Sequence, residues 1–299
     1  MKKAFLCGIL ASFFFAFTFL LNSSMNLSGG YWMWSACLRY FITLPLMVPL
    51  VWKTVPENGI RQVLNEIKKN PVPWFLWSTV GFGLFYLPLT MASIYGASWM
   101  VAASWQITIV AGILLTPLFG KRIPLKNLCM AFVILAGIFL LQIPNFSSGA
   151  GKETGIALLL IIIGAFSYPL GNRKMMEHCP SVLNTFQRVF GMTLCSMPFW
   201  IVTAVTAFVK SGFPGKSQLI QSAGVALFSG VIATVLFFYA TDLVKKNEKQ
   251  LAVVEATQSG EVVFTLLGGI LVLGEAVPGP VGAVGLVLVI GGMIFNSIL

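Results

Sequence analysis

The chain has 299 residues, 57% of them hydrophobic and 9% charged, with a mean hydropathy of +0.89. A soluble globular domain carries about 25% charged residues, so this composition excludes that class and indicates an integral membrane protein. The net charge of +10 does not point to nucleic acid, because the basic residues stand in short clusters between apolar runs.

The N-terminal MKKAFLCGILASFFFAFTFLL has the layout of a signal peptide, but its apolar core is long and no A-x-A site follows, so a retained first helix is expected. Ten apolar runs follow one another, at about 4–21, 31–52, 73–94, 97–118, 128–143, 155–171, 182–208, 219–241, 251–273 and 279–298. Pro45, Pro88, Pro117, Pro169 and Pro198 lie in or near these runs, where membrane helices tolerate kinks. An even number of spans puts both termini on one side. One set of loops carries fourteen Lys and Arg residues, from Lys2 and Lys3 through Lys121, Arg122 and Arg173 to Lys245, Lys246 and Lys249. The opposite set carries Lys152, Lys210 and Lys216. The positive-inside rule then places both termini in the cytoplasm. The plasma membrane is the expected location.

In the longest cytoplasmic connection, IRQVLNEIKKN spaces Ile60, Val63, Leu64 and Ile67 as an amphipathic surface helix, more simply a connector than a regulator. His178 is the single histidine and has no second ligand nearby. Cys7, Cys37, Cys129, Cys179 and Cys195 lack paired spacing, so neither disulfide nor metal is expected.

The stretch Leu251–Pro278 is long enough to cross a bilayer, yet holds Glu255 and Glu261. A carboxylate at the depth of Glu261 costs roughly 2.5–3.5 kcal/mol on insertion scales, and such residues face a bundle interior or a wet cavity. The stretch also has an earlier copy. A shift of 154 lays Gly120–Pro124 (GKRIP) on Gly274–Pro278 (GEAVP) and Gly137 on Gly291. A shift of about 150 lays Asn22 on Asn172, Arg39 on Arg188 and Gly81 on Gly230. The expected architecture is an all-α integral membrane protein of ten transmembrane helices, built as two five-helix repeats, 1–150 and 151–299. Five is odd, so the repeats are inverted, the arrangement of many secondary transporters.

Ten helices in two such repeats, each closing on a GKRIP- or GEAVP-like turn before a glycine-bearing last helix, resemble the drug/metabolite transporter superfamily in its EamA-like form. ILASFFFAFTFLLNSSM, WSACLRYF, LWSTVGFGLFYLPL and ASWQITIVAG look like its multidrug resistance efflux transporter branch, and the resemblance covers essentially the whole chain. The resemblance implies solute export, with helices equivalent to 1, 3, 4, 6, 8 and 9 lining a central cavity. One departure is plain: the small four-helix exporters carry a carboxylate in their first helix, and this first helix has none.

The intramembrane charges are Arg39, Arg188, Glu255 and Glu261. Thr257 and Thr265 share a helical stripe with Glu261, while Glu255 shares another with Gln258 and Ser259, about 120° away. Two readings stand for Glu261: a proton and substrate carboxylate, protonated when empty and ionised around a cation, or a structural partner of Arg188 or Arg39. Glu255 is a candidate for the cytoplasmic mouth. The arginines are candidates for helix-packing duties or for attracting an anionic group of the substrate. Phe13, Phe14, Phe15, Phe17, Tyr86, Trp99, Trp105, Phe166, Tyr168 and Phe237 lie on cavity-equivalent spans, and aromatic faces around a carboxylate suit organic cations. Trp105 beside Gln106 is the strongest of them as a cavity wall, and Asn22 and Asn172 are polar candidates at matching helix ends.

GFGLFY lies in a span without βαβ context, there is no phosphate-binding loop, and no Ser/His or metal constellation supports an enzyme. The expected function is export of small organic solutes, lipophilic cations first, by proton antiport. An uncoupled amino acid or metabolite facilitator, and a non-transporting scaffold or sensor, are the alternatives. The expected partners are the lipid bilayer, the solute and protons, with a homodimer compatible and no cofactor.

Overall fold

The computed structural model describes residues 1–120, 122–123, 125–147, 149–179, 182–244 and 248–298. Lys121 and Pro124 of the GKRIP turn, and Lys245, Lys246 and Asn247 of the basic loop, lie outside the described residues. Every regular element among the described residues is helical. Among the described residues, nine helices are long and apolar enough to cross a membrane: α1 (Lys2–Leu27), α2 (Trp32–Thr54), α4 (Pro71–Ala92), α6 (Leu125–Phe146), α7 (Gly151–His178), α8 (Thr185–Ser211), α9 (Lys216–Thr241), α10 (Val253–Leu273) and α11 (Pro280–Ile298). The amphipathic helix α3 is Gly59–Lys69.

The span expected at 97–118 is shorter in the structure. It is Ser98–Leu114, here α5, made of Ser98–Trp105 and Ile107–Leu114 broken at Gln106. Its end tightens into the 3-10 turn Thr116–Phe119, with Pro117 in that turn, before Gly120 in the left-handed region. Other irregularities fall inside long helices. α4 carries a π-helical turn at Thr79–Gly83 and α9 another at Ala226–Ala233, while α10 passes through the 3-10 turn Thr257–Ser259. Hydrocarbon offers backbone groups no partners, so helices are the economical form for these runs; such breaks are tolerated where neighbours cover them.

Helices approach where side chains are small. α6 and α11 form the most extensive pair, crossing with Gly137 against the Gly285 carbonyl and Val289. α7 meets α4 where Gly171 lies on the backbone of Gly81, inside the π-helical turn. α1 packs against α9, α10 and α5. Outward-facing side chains such as Phe132, Phe139, Val209 and Leu271 are largely exposed, which suits contact with lipid tails.

α3 is docked through its apolar stripe: Val63 and Ile67 are buried, and Val63 reaches Gly191 of α8 together with Trp74. A capping box starts α8, in which the Asn184 side chain accepts from the Gln187 backbone N–H at 2.9 Å and the Gln187 side chain accepts in return at 2.9 Å. Gln187 Nε2 then donates to the Gly59 carbonyl and to Gln62 Oε1, both at 3.0 Å, tying α3 to the bundle.

Candidate transport site

Arg39 stands two turns into α2, carried there by a helix that is otherwise apolar along this stretch. Its guanidinium carbon lies 4.2 Å from the centroid of the Tyr86 ring and 5.9 Å from that of Tyr40. Nη2 donates to Ser229 Oγ at 3.2 Å, and Ser229 Oγ is in turn 2.5 Å from Thr18 Oγ1. Ser229 belongs to the π-helical turn of α9, a class of distortion frequent at functional sites. Nη1 is buried and has no hydrogen-bond partner. A buried donor left without an acceptor costs on the order of 1–3 kcal/mol, more when charged.

Beside this cation, polar groups of α1 and α4 bond to each other. Tyr86 is fully buried, and its hydroxyl receives a bond from Asn22 Nδ2 at 3.0 Å. Tyr40 stacks on Trp200 with centroids 4.4 Å apart and rings 14° from parallel.

Glu261 lies one residue past the N-terminus of Gly260–Leu273, immediately beyond the 3-10 turn of α10, and is 9% exposed. The two threonines on its stripe serve the backbone: Thr265 Oγ1 donates to the Glu261 carbonyl at 2.7 Å, and Thr257 Oγ1 donates to that of Val254. Among the described residues no hydrogen bond reaches the Glu261 carboxylate, and the ion pairs within 4.0 Å are Lys69–Glu66 and Lys174–Glu177. Arg39 and Tyr168 nevertheless stand close enough to interact electrostatically with Glu261.

Tyr168 belongs to an aromatic wall with Phe85 and Trp105, at centroid separations of 4.8 Å, 5.1 Å and 5.9 Å. α7 approaches α4 closely enough for this wall because Gly164 leaves room for the Phe85 carbonyl. Trp105 is buried, whereas Tyr168 is 41% exposed.

The structure thus brings together Arg39, Tyr86 and Asn22, and sets Glu261, Tyr168 and Trp105 beside them. Gln106 is buried at the α5 break but spends its Nε2 on the Ala102 carbonyl at 3.1 Å. Asn22 and Asn172 lie inside α1 and α7 rather than at helix ends, and Asn172 donates to the Tyr168 carbonyl in its own helix. Gln258 is half-buried and Glu255 exposed, near the start of α10. Arg188 is in the first turn of α8, where it and Glu66 act on Cys179, whose thiol is pushed up by burial. It is not part of the Arg39 cluster.

Three members went unnoticed in the sequence: Ser229, Thr18 and Tyr40. Ser229 precedes Gly230, the repeat counterpart of Gly81, and that match was its available signal. Glu275, in the GEAVP turn, was read only for its glycine and proline. Its carboxylate accepts from the Ser98 backbone N–H and hydroxyl, at 2.7 and 2.8 Å, and from Ser23 Oγ at 3.3 Å. Among the described residues no group of three or more His, Cys, Asp or Glu side chains is placed to hold a metal.

A sequence profile named EmrE, "Putative multidrug resistance efflux transporter", matches residues 2–299. The chain is 46% identical over 308 residues to "Uncharacterized protein YjlA" of Bacillus subtilis (strain 168), spanning 99% of this chain and 94% of that one. It is 45% identical over 269 residues to the "Uncharacterized 42.1 kDa protein in intracellular alkaline protease 3'region" of Shouchella clausii, spanning 87% and 70%. A more distant similarity, 23% over 265 residues, links it to the "Major facilitator superfamily transporter MG061" of Mycoplasma genitalium, of which it spans 46%. A solved crystal structure shares its fold with a TM-score of 0.65, over 99% of this chain and 96% of the other, at 16% identity. With apolar helices throughout and a profile match over nearly its whole length, this multi-pass membrane chain belongs to the EmrE-like multidrug resistance efflux transporter family of the drug/metabolite transporters.

Proposed function

We propose that the protein is a secondary transporter of the plasma membrane that exports small organic solutes in exchange for protons. In this reading it has ten helices in two inverted repeats, 1–150 and 151–299, with both termini cytoplasmic. The observation that carries it is Glu261, a carboxylate buried in the bundle with no bonded partner among the described residues. Such a group can take up a proton when the site is empty and give it up when a solute ammonium arrives. The opposing reading, a structural ion pair with Arg39 or Arg188, is not favoured by a geometry in which no such pair forms.

Paired irregularities support the inverted repeat. A shift of about 150 carries the π-helical Thr79–Gly83 to 229–233, inside the π-helical Ala226–Ala233. A shift of 152 carries Gln106, where α5 breaks, to Gln258 in the 3-10 turn of α10. The shift of 154 joins Gly120 and Gly274, left-handed at φ 70° and 66°. Helices interrupted at corresponding places in two halves are the usual surroundings of a midplane solute site. Arg39, Tyr86 and Asn22 on one side, with Trp105, Gln106 and Tyr168 on the other, are the proposed lining. Glu255 and Gln258 serve the mouth, and Arg188 and Asn172 lie outside the binding centre.

The test is flux in proteoliposomes under an imposed pH gradient, with ethidium, tryptamine and tryptophan as probes, for wild type and Glu261→Gln. Gradient-driven accumulation of at least one probe is expected for wild type and not for the variant. Wild-type flux indifferent to the gradient overturns proton coupling in favour of an uncoupled facilitator. Equal coupled flux in both proteins removes Glu261 from the mechanism.

A further inference from the structure

We infer that α3 is a binding surface for anionic phospholipid, with Arg61 and Lys68 holding the phosphodiester headgroup and Leu64 and Trp52 meeting the upper acyl chain. The inference is independent of what the protein transports. α3 has 11 residues and little slack at either end: residues 55–58 join it to α2, and Asn70 alone joins it to α4. It therefore lies at the level where these two spans leave the apolar layer, and the approach of Val63 to Gly191 of α8 holds it there. At about 100° per residue, Arg61 and Lys68 fall within about 20° of each other on the helix, about 130° from the mean direction of the buried pair Val63 and Ile67. Leu64 lies between those two directions and is 39% exposed. Trp52, in the last turn of α2, is 67% exposed.

The charges on this face are not spent inside the protein. Glu66 pairs with Lys69 on the same helix, whereas Arg61 and Lys68 have neither an ion pair nor a hydrogen bond among the described residues. Both are exposed, as is Lys53 at the end of α2. Residues 53–69 hold four bases against two acids, Glu57 and Glu66, so the surface favours an anion. A basic stripe flanked by an exposed leucine and tryptophan follows the layout of a phospholipid, with charge toward water and chain toward hydrocarbon. A soluble anion would engage the charges and gain nothing from Leu64 or Trp52. A zwitterionic lipid brings an ammonium along with its phosphate. An anionic phospholipid uses both features, and each basic side chain near its headgroup is worth roughly fivefold in affinity. Gln187 ties α3 to the start of α8, so a lipid seated on α3 stabilises the folded bundle and raises its unfolding midpoint.

The test is thermal unfolding of the full chain in dodecylmaltoside micelles supplemented with phosphatidylglycerol, phosphatidylcholine or inorganic phosphate, with native mass spectrometry to count retained lipids. Phosphatidylglycerol should raise the midpoint saturably, and phosphatidylcholine should not. Arg61→Gln combined with Lys68→Gln should raise the half-saturating fraction of phosphatidylglycerol about 20-fold. Both positions are exposed, so without lipid this paired variant should keep the wild-type midpoint. Lys2→Gln combined with Lys126→Gln, which removes two exposed bases from α1 and α6, should leave the response to phosphatidylglycerol unchanged. An equal rise with phosphatidylcholine, an undiminished response in the α3 pair, or an equal loss in both paired variants overturns the proposal. Inorganic phosphate that raises the midpoint as far as phosphatidylglycerol also overturns it, in favour of a soluble-anion site.

Discussion

The carboxylate of Glu275 caps the start of α5 from a distance of 177 residues in sequence, accepting from both the backbone N–H and the hydroxyl of Ser98. The first turn of a helix has unpaired N–H groups and the positive end of the helix dipole, so an acidic oxygen there is favourable on two counts. Ser23 of α1 adds a third donor, so one side chain fastens the loop after α10 to two other helices. Glu275 is only partly buried, and solvent weakens these bonds. Glu275→Gln should therefore lower stability by about 1–2 kcal/mol, and Ser98→Ala by about 1 kcal/mol, because the backbone N–H remains. The midpoint of thermal unfolding in detergent reads both. An unchanged midpoint for Glu275→Gln would remove the cap from the account.

The long helices and the charges buried among them were legible because each contradicts its surroundings: apolar runs in a chain with few charges, and Arg39 and Glu261 within apolar runs. Glu275 was not legible, since a GEAVP turn gives its glycine and proline an obvious duty and its glutamate none. Its partner is known only once α5 is folded beside α10. The partnership of Arg39 with Ser229, and the absence of one with Glu261, depend on helix rotation and on the wider turn at Ala226–Ala233. Hydrophobic period does not encode either. The repeat shift aligned Arg188 with Arg39, yet the helix around Arg188 begins at Thr185, which leaves it one turn from the end, away from the centre of the bundle where Arg39 lies. The shortening of α5 has a local cause that periodicity overlooks, namely the break at Gln106 and the tight turn around Pro117.

The contact between α4 and α7 should be intolerant of a single added carbon. A Cβ at Gly171 would run into the Gly81 backbone and the Trp77 carbonyl, neither of which is the free end of a flexible side chain. Overpacking of this kind costs about 1–3 kcal/mol, so Gly171→Ala should lower the unfolding midpoint. Gly155, in the same helix, has nothing within 4 Å of an added Cβ. Gly155→Ala should be neutral or stabilising by up to about 1 kcal/mol. Equal midpoints for the two variants would mean that the helices are not in close contact at Gly81.

The last prediction separates the two duties of Tyr86. Its hydroxyl pairs with Asn22 and its ring lies under the guanidinium of Arg39. Tyr86→Phe removes the first and keeps the second, leaving Asn22 without that partner at a cost of about 1 kcal/mol. Tyr86→Leu removes both, and a desolvated cation–π contact is worth up to about 2 kcal/mol. If the ring is what orients Arg39 for a solute, Tyr86→Phe should lower the unfolding midpoint while keeping wild-type flux in proteoliposomes. Tyr86→Leu should lose that flux even where the protein remains folded. The readouts are thermal unfolding and proteoliposome flux of each purified variant, with size-exclusion profiles to show that both are intact. Flux that survives in Tyr86→Leu would mean that Ser229 alone positions the guanidinium, and the ring would then be packing rather than part of the site.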